Sequence, residues 1–153
     1  MLGVTFQIAD NRLALDIRSI VEVVPSVGLR EVIGGPEWLA GMALYRGQIV
    51  PVIDLFRLAN AGKCPERLST RLIIVRMPDF DRDRLVALRA SNVDEVSELP
   101  TANEAEDRPL SDQPDFGRMV VHDGRMLRVL DVKRLLPPAY QKQIADLTGE
   151  LTV

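Results

Sequence analysis

The sequence predicts an all-β protein made of two similar units of about 75 residues, each a small five-stranded β-barrel. Strand-like segments are short and numerous, and turn-forming residues separate them. The chain also repeats itself: "YRGQIVPVIDLFRL" (45–58) aligns with "HDGRMLRVLDVKRL" (122–135), and "NRLALDIRSIVEV" (11–23) resembles "DRLVALRASNVDEV" (83–96). Each copy therefore supplies about five short strands, the number that a small barrel needs.

The first copy opens with a segment that alternates between apolar and polar residues. Residues 4–9 and 12–17 predict the two strands of a hairpin, because the turn formers Asp10 and Asn11 stand between them. Residues 17–25 predict a helical turn followed by a strand. The sequence then predicts, in order, a strand at 29–33, a helical turn at 36–41, and a hairpin of 42–45 and 48–55 around Arg46-Gly47.

Two residues of this central hairpin carry structural expectations of their own. Pro51 has no N–H group to give to a sheet, so its strand is expected to lie at an edge or to contain a bulge. Asp54 precedes the helix-like segment 55–62, which ends at a glycine. A carboxylate in that position is typical of a helix N-cap, and we expect Asp54 to act as one.

The second copy contains two more hairpins. Residues 70–77 and 84–90 predict strands that are joined by a turn at 78–83. Residues 118–136 predict a hairpin that turns at Asp123-Gly124, a pair that strongly favours a type I′ turn. The alignment of the two copies places this turn on Arg46-Gly47.

The remaining segments are a loop and a terminal helix. Residues 101–117 are polar and acidic and contain proline, so they predict a loop. Residues 139–151 predict a helix, because Tyr140, Ile144 and Leu147 recur at helical spacing and share one face.

Composition limits the classes of function. The chain has 153 residues, 46% hydrophobic and 27% charged, which is typical of one globular domain. A net charge of −3 and an aromatic content of 5% argue against a nucleic-acid partner. One cysteine and one histidine exclude a disulfide, a cysteine-based zinc site and a three-histidine metal site. We expect no metal and no cofactor. No signal peptide or membrane-spanning run is seen, so we expect a cytoplasmic protein.

The polar residues offer few candidates for catalysis. Asp54 and Asp131 occupy equivalent places in the two copies, so they predict either a catalytic carboxylate pair within about 10 Å or two helix caps. The following segments look helical in both copies, which favours the caps. His122 and Cys64 have no matched partner in the sequence, which favours an exposed hairpin residue and a solvated or half-buried thiol. We predict no catalytic residue.

Arg46 is a candidate for binding. The equivalent residue of the second copy is Asp123, so the repeat does not require a cation at this turn. A solvated turn residue is one interpretation. The other is a binding hot spot, because an arginine beside the apolar residues 41–45 is typical of a protein interface.

Three segments resemble the CheW family of chemotaxis coupling proteins. "GMALYRGQIVPVIDLFRL" resembles its signature "G-V-x-N-L-R-G-x-I-V-P-V-I-D-L-R", and "LALDIRSIVEVV" is similar to its "Y-x-x-D-I-x-x-V-x-E-V". "DGRMLRVLDVKRLL" is similar to the last hairpin of the family, which a terminal helix follows. The resemblance extends from Val4 to about Leu147. It departs from the family where Tyr45 stands directly before Arg46 and the usual Asn is missing.

The resemblance implies a single CheW-like domain over 1–138, followed by a helix and tail over 139–153. The family fold is a pair of SH3-like five-stranded barrels that exchange their first strands. We expect the barrels to comprise roughly 14–69 in one case and 1–13 plus 70–136 in the other.

The resemblance also implies a non-enzymatic function. Family members bridge the cytoplasmic tip of methyl-accepting chemoreceptors to the regulatory domain of the histidine kinase CheA. They meet the membrane only through receptors, in arrays at its inner face, and we expect a monomer when the chain is alone. A β-barrel interaction module with another signalling partner is the alternative.

The resemblance assigns roles to seven residues, and the apolar groove expected for a receptor helix adds Val93 as an eighth. Arg46 and Ile20 match receptor-contacting positions, and Val93 is expected as a second wall of the receptor groove. Glu22 matches a kinase-facing residue. The residues that match structural positions of the signature are Gly41, Gly47, Pro51 and Asp54.

Overall fold

The computed structural model describes residues 1–77, 84–101 and 109–149, and most of its regular structure is β-strand. The strands are β1 (Leu2–Ile8), β2 (Asn11–Asp16), β3 (Ile20–Pro25), β4 (Leu39–Tyr45), β5 (Gln48–Asp54), β6 (Arg71–Arg76), β7 (Leu85–Ala90), β8 (Val96–Glu98), β9 (Arg118–His122) and β10 (Arg125–Leu130). The helices are a 3-10 turn (Ile17–Ser19), α1 (Leu55–Leu58), α2 (Val132–Leu135) and α3 (Pro138–Gly149).

The strands form two five-stranded sheets with the same topology. The first sheet has the order β8-β1-β2-β10-β9, and the second has the order β3-β6-β7-β5-β4. In each sheet, two antiparallel hairpins are joined by one parallel contact, between β2 and β10 in the first and between β7 and β5 in the second. The predicted all-β class and the two similar five-stranded units are therefore confirmed.

The two copies of the repeat exchange their first hairpins. The hairpin β1–β2 pairs with β9–β10 of the second copy, and β6–β7 pairs with β4–β5 of the first. The first sheet thus draws on 2–16 and 96–130, and the second on 20–25 and 39–90. The expected boundaries, 14–69 and 1–13 plus 70–136, differ from this division because long-range parallel pairing decides which sheet a hairpin joins.

The sheets are open. Among the described strands, no backbone pairing joins the two outer strands of either sheet, so neither sheet closes into the predicted barrel through main-chain hydrogen bonds. A single bridge between Gln7 and Ser91 connects β1 to the residue that follows β7. It links β1 of the first sheet to the second sheet, and the N–H of Asp94 adds a backbone hydrogen bond to Thr5 at 2.9 Å.

The main hydrophobic core lies between the two sheets. It contains Phe6 and Leu15 from the first sheet, Ile53 and Ile73 from the second, and Ile144 from α3. Each sheet has a smaller cluster on its other face, of which Leu127 and Ile74 are members. Strand β6 is therefore buried on both faces, which explains why its sequence "RLIIVR" does not alternate.

Several local predictions are confirmed. The hairpin β1–β2, the helical turn before β3, and the hairpins β4–β5 and β9–β10 are present. The residues Arg46 and Gly47, and likewise Asp123 and Gly124, have positive φ angles (49° and 76°, 53° and 71°), as a type I′ turn requires. The predicted terminal helix is α3, in which Ile144 is fully buried.

Other local predictions are wrong. The segment predicted as a strand at 29–33 contributes one bridge, in which Arg30 and Met42 exchange hydrogen bonds of 2.8 and 2.7 Å. Where one helical turn was predicted from Pro36 to Gly41, the chain makes a shorter tight turn, in which the N–H of Leu39 donates to the carbonyl of Pro36 at 3.0 Å, and β4 begins at Leu39. Strand β8 was not predicted. The turn at 78–83 and residues 102–108 of the predicted loop lie outside the described residues.

Pro51 does not lie in an edge strand, because β5 pairs with both β4 and β7. Its opposite neighbour Met42 directs both backbone groups away from β5, toward Arg30. The pairing of β5 with β7 begins only at Val52. The missing N–H of Pro51 therefore leaves no partner unsatisfied, which is why an internal strand accepts a proline here.

We predict that Gly41→Ala lowers the free energy of unfolding by about 2–4 kcal/mol. The φ angle of Gly41 is +151°, and an added Cβ would lie 2.5 Å from the carbonyl oxygen of Arg30, so the bridge between Arg30 and Met42 would have to move. Chemical denaturation followed by circular dichroism measures the effect.

The matched control is Gly34→Ala, where φ is also positive but no atom lies within 4 Å of the added Cβ. It should cost about 1 kcal/mol from backbone strain alone. Equal losses for the two variants would contradict the close-contact explanation.

Candidate functional site

Tyr45 and Arg46 at the tip of the β4–β5 hairpin contact Glu22 of β3, and we call these three polar residues the rim cluster. The guanidinium of Arg46 donates to Glu22 over 2.9 Å, and the hydroxyl of Tyr45 donates to the same carboxylate oxygen. The guanidinium of Arg46 also lies 5.2 Å from the centre of the Tyr45 ring. The rim cluster is therefore a connected unit whose arginine side chain remains 73% exposed.

The rim cluster joins the two outer strands of the second sheet. Glu22 belongs to β3 and Tyr45 to β4, which lie at opposite ends of the order β3-β6-β7-β5-β4. Their contact therefore closes the curled sheet through side chains. The hydrogen bond to Glu22 is the main reason why the pKa of the Tyr45 hydroxyl is raised, and partial desolvation is the second. Tyr45, which departs from the family signature, thus has a defined structural partner.

Exposed apolar side chains flank the rim cluster. Leu44 and Ile49 lie opposite each other in the hairpin, and both are exposed. Trp38, which could have extended this patch, instead packs against Tyr140 with ring centres 5.5 Å apart. An exposed arginine beside an apolar pair is typical of a protein-binding surface.

The structure places Ile20 near the rim cluster and Val93 away from it. Ile20 lies two residues before Glu22 in β3 and pairs with Val75 at one end of β6. The N–H of Val93 donates to Ser69, just before the other end of β6. Both side chains are half-buried against the core between the sheets. They do not face each other as walls at one end of β6.

Asp54 is a buried helix cap. One oxygen of its carboxylate accepts from the N–H groups of Phe56 and Arg57 at 2.9 and 3.4 Å, and the other accepts from Cys64 at 3.0 Å. These bonds begin α1 and hold the following loop, so the predicted cap is confirmed.

Asp131 is the equivalent cap in the second copy. It is exposed and accepts from the N–H of Lys133 at 3.0 Å. Asp54 and Asp131 end strands of different sheets, and each is committed to the start of its own helix. This arrangement is that of structural caps and not of a catalytic pair.

Cys64 and His122 lie in unlike surroundings. Burial, reinforced by the nearby Asp54 carboxylate, raises the pKa of the Cys64 thiol to about 11. A thiol of this kind is a poor nucleophile. His122 is beside the β9–β10 turn, where its Nε2 lies 3.4 Å from the carboxylate of Asp123.

The described residues contain neither a cluster of metal ligands nor a helix that could span a membrane. Within 1–77, 84–101 and 109–149, no three side chains of the His, Cys, Asp or Glu type cluster as metal ligands would. In the same part of the chain, no helix is long and apolar enough to cross a membrane.

Fold and site together define a β-structured interaction domain, in which two sheets of equal topology present polar and apolar hairpin tips. The sequence matches the CheW-like domain family over residues 2–139. The chain therefore belongs to the CheW-like family, as its signature segments indicated.

Similar proteins include two chemotaxis proteins and a scaffolding protein of known structure. A chemotaxis protein CheW of Thermotoga maritima is 25% identical over 136 residues, covering 86% of this chain and 85% of that protein. A chemotaxis protein CheW of Helicobacter pylori is 29% identical over 105 residues, and the chain spans 64% of its length. The crystal structure of the scaffolding protein TtCheW from Thermoanaerobacter tengcongensis has a TM-score of 0.72 and 26% identity, covering 91% of this chain and 89% of that one.

We predict that Asp54→Ala lowers the free energy of unfolding by about 2–4 kcal/mol, and that Asp131→Ala lowers it by about 1 kcal/mol. Both variants remove a cap, but only the first leaves buried N–H groups without an acceptor. Urea denaturation of the two variants makes the comparison, since Asp131 serves as an exposed control for Asp54. Equal losses would mean that burial of the Asp54 carboxylate does not increase its contribution to the free energy of unfolding.

We predict that native Cys64 reacts with a thiol reagent at pH 7 at least about 100-fold more slowly than the thiol of the urea-unfolded chain. Its pKa is raised from 9.0 to about 11, so the thiolate is scarcer in the folded protein. Because the folded thiol holds its proton to higher pH, the free energy of unfolding should also fall as pH rises from 9.0 toward about 11. Equal reaction rates would show that the thiol is accessible.

Proposed function

We propose that the chain is a non-enzymatic coupling protein that links chemoreceptor tips to the regulatory domain of a CheA-type kinase. The observation that carries this proposal is the rim cluster, an exposed arginine held in place on a hairpin of a CheW-like domain. The similar proteins named for chemotaxis and scaffolding support the same role. In this proposal the chain reaches the inner face of the membrane only through receptors.

The receptor side of the proposal rests on Arg46 and Ile20. Glu22 and the ring of Tyr45 restrain the Arg46 side chain, so less conformational entropy is lost when it binds a partner. Its guanidinium retains N–H groups that can donate to a carboxylate or a backbone carbonyl of a receptor helix. Ile20, on the same strand as Glu22, would supply apolar contact. Val93 would form a separate contact, at the other end of β6.

The kinase side of the proposal rests on Glu22. Its side chain is 41% exposed and lies on β3, an outer strand of its sheet. Its position leaves it open to a partner that approaches from the side of β3, whereas Arg46 projects from the hairpin tip. One ion pair would then stand at the boundary between two partners. Gly47 and the buried Pro51 would act indirectly, by shaping the hairpin that carries Arg46.

We predict that Arg46→Ala weakens binding of a receptor cytoplasmic fragment about tenfold or more, while affinity for the kinase regulatory domain changes less than about threefold. Glu22→Gln should weaken binding of the kinase regulatory domain more than binding of the receptor fragment, because it removes the charge on the kinase side and keeps the size of the side chain. The weaker restraint on Arg46 should lower receptor affinity to a smaller degree. Isothermal titration calorimetry against each partner measures both affinities.

Lys142→Ala is the matched control, since Lys142 is also an exposed cation but lies on α3, outside the segments that carry Arg46, Glu22, Ile20 and Val93. It should change neither affinity. If Arg46→Ala and Glu22→Gln each weaken the binding of both partners equally, the ion pair has only a structural role. If the wild-type chain binds neither partner, the coupling function is wrong and the chain serves another partner.

A further inference from the structure

A second surface lies in the first sheet, between the tips of the hairpins β1–β2 and β9–β10. Strands β2 and β10 pair in parallel only where residues 13–15 meet 128–130. Toward the tips the two hairpins separate and leave an open cleft of about 400 Å³. This cleft is distinct from the rim cluster, which belongs to the other sheet.

The cleft is positively charged. Arg12 lines the wall formed by β2, and Arg125 and Arg128 line the wall formed by β10. Asp10 is the one acidic side chain among the described residues that line it. The chain as a whole has a net charge of −3, so this local excess of cations is not a consequence of composition.

The arginines of the cleft have unused hydrogen-bonding capacity. The Nη1 atom of Arg12 is buried and has no hydrogen-bond partner among the described residues. Arg125 is exposed, and no ion pair or hydrogen bond engages its side chain within the described part of the chain. Arg128 donates from one nitrogen to the carbonyl of Gly117 at 3.0 Å. A carboxylate between the two walls would accept a hydrogen bond from the buried Nη1 group of Arg12. Its negative charge would also lie between the positive charges of the arginines.

The cleft has an apolar rim. Met119 and Met126 line it, and Val121 lies directly opposite Met126 in the hairpin. All three are exposed, Val121 by 76%. Arginine and methionine together are enriched in protein interfaces, where the flexible thioether adapts to a partner's shape.

The repeat shows that the apolar pair is common to both hairpins and that the charges are not. Val121 and Met126 align with Leu44 and Ile49, which are also an exposed cross-strand pair. At the turn, however, Asp123 replaces Arg46. The second hairpin therefore carries its cations on β10, at Arg125 and Arg128, and not at the turn residue that corresponds to Arg46.

We propose that this cleft docks an acidic amphipathic segment of a protein partner. A carboxylate of the segment binds between Arg12 and Arg125, and its apolar side chains cover Met126 and Val121. The open shape and the apolar rim beside the cations favour a peptide over an enclosed small anion.

The test is fluorescence anisotropy with a short labelled amphipathic peptide of glutamate and leucine, and with a matched peptide in which glutamine replaces glutamate. We expect the glutamate peptide to bind about tenfold or more tightly than its glutamine counterpart. Arg125→Glu should weaken binding about tenfold or more, with Arg125→Gln intermediate, and Met126→Ser should weaken it severalfold. These side chains are exposed, so circular dichroism should show the variants folded. The matched charge control, Arg67→Glu, should leave binding unchanged.

Three results would overturn the proposal. The first is no binding of the glutamate peptide to the wild-type chain. The second is equal binding of the two peptides, or equal weakening by Arg125→Glu and Arg67→Glu. The third is full competition by inorganic phosphate together with no effect of Met126→Ser, which would identify a small-anion site instead of a protein-docking surface.

Discussion

The parallel pairing of hairpins from different halves of the chain is the constraint on which the rest of the structure depends. Strand β2 pairs with β10, and β7 pairs with β5, so each sheet needs one hairpin from each copy of the repeat. Neither copy can complete a sheet from its own strands. The large core between the sheets is complete only when both hairpins are exchanged, because its residues come from both sheets and from α3. Folding of the two units is therefore coupled.

The same constraint produces the two candidate surfaces. The strands that pair in parallel meet near their carboxyl ends and separate toward the hairpin tips. The tips therefore project, and in the first sheet the separation opens the cleft. The copies have equivalent hairpins with equivalent apolar pairs but different charges. Arg46 is bound to Glu22 across the outer strands of one sheet, whereas Asp123 lies beside His122 in the other. Divergence at the tips gives two similar sheets distinct binding chemistry.

The candidate site could be predicted in part. Arg46 at a turn and Asp54 as a cap follow from residues within four positions of each other, and both are present. The contact of Tyr45 with Glu22 could not be predicted, because the two residues lie on opposite outer strands that only the curled sheet brings together. The sequence shows Tyr45 as a departure from the family signature, but it does not show that Glu22 is its partner. Likewise, Ile20 and Val93 were expected as two walls of one groove, but they lie toward opposite ends of β6.

The sequence by itself determined the elements whose hydrogen bonds are local. Type I′ turns, helix caps and the repeat of about 75 residues depend on neighbouring residues or on simple alignment, so they can be read without a fold. The tertiary structure decided which hairpins pair, why Pro51 fits an internal strand, and that 29–33 contributes only one bridge. The physical reason is that strand pairing joins backbone groups far apart in sequence, and burial between two sheets, not local propensity, selects the partners.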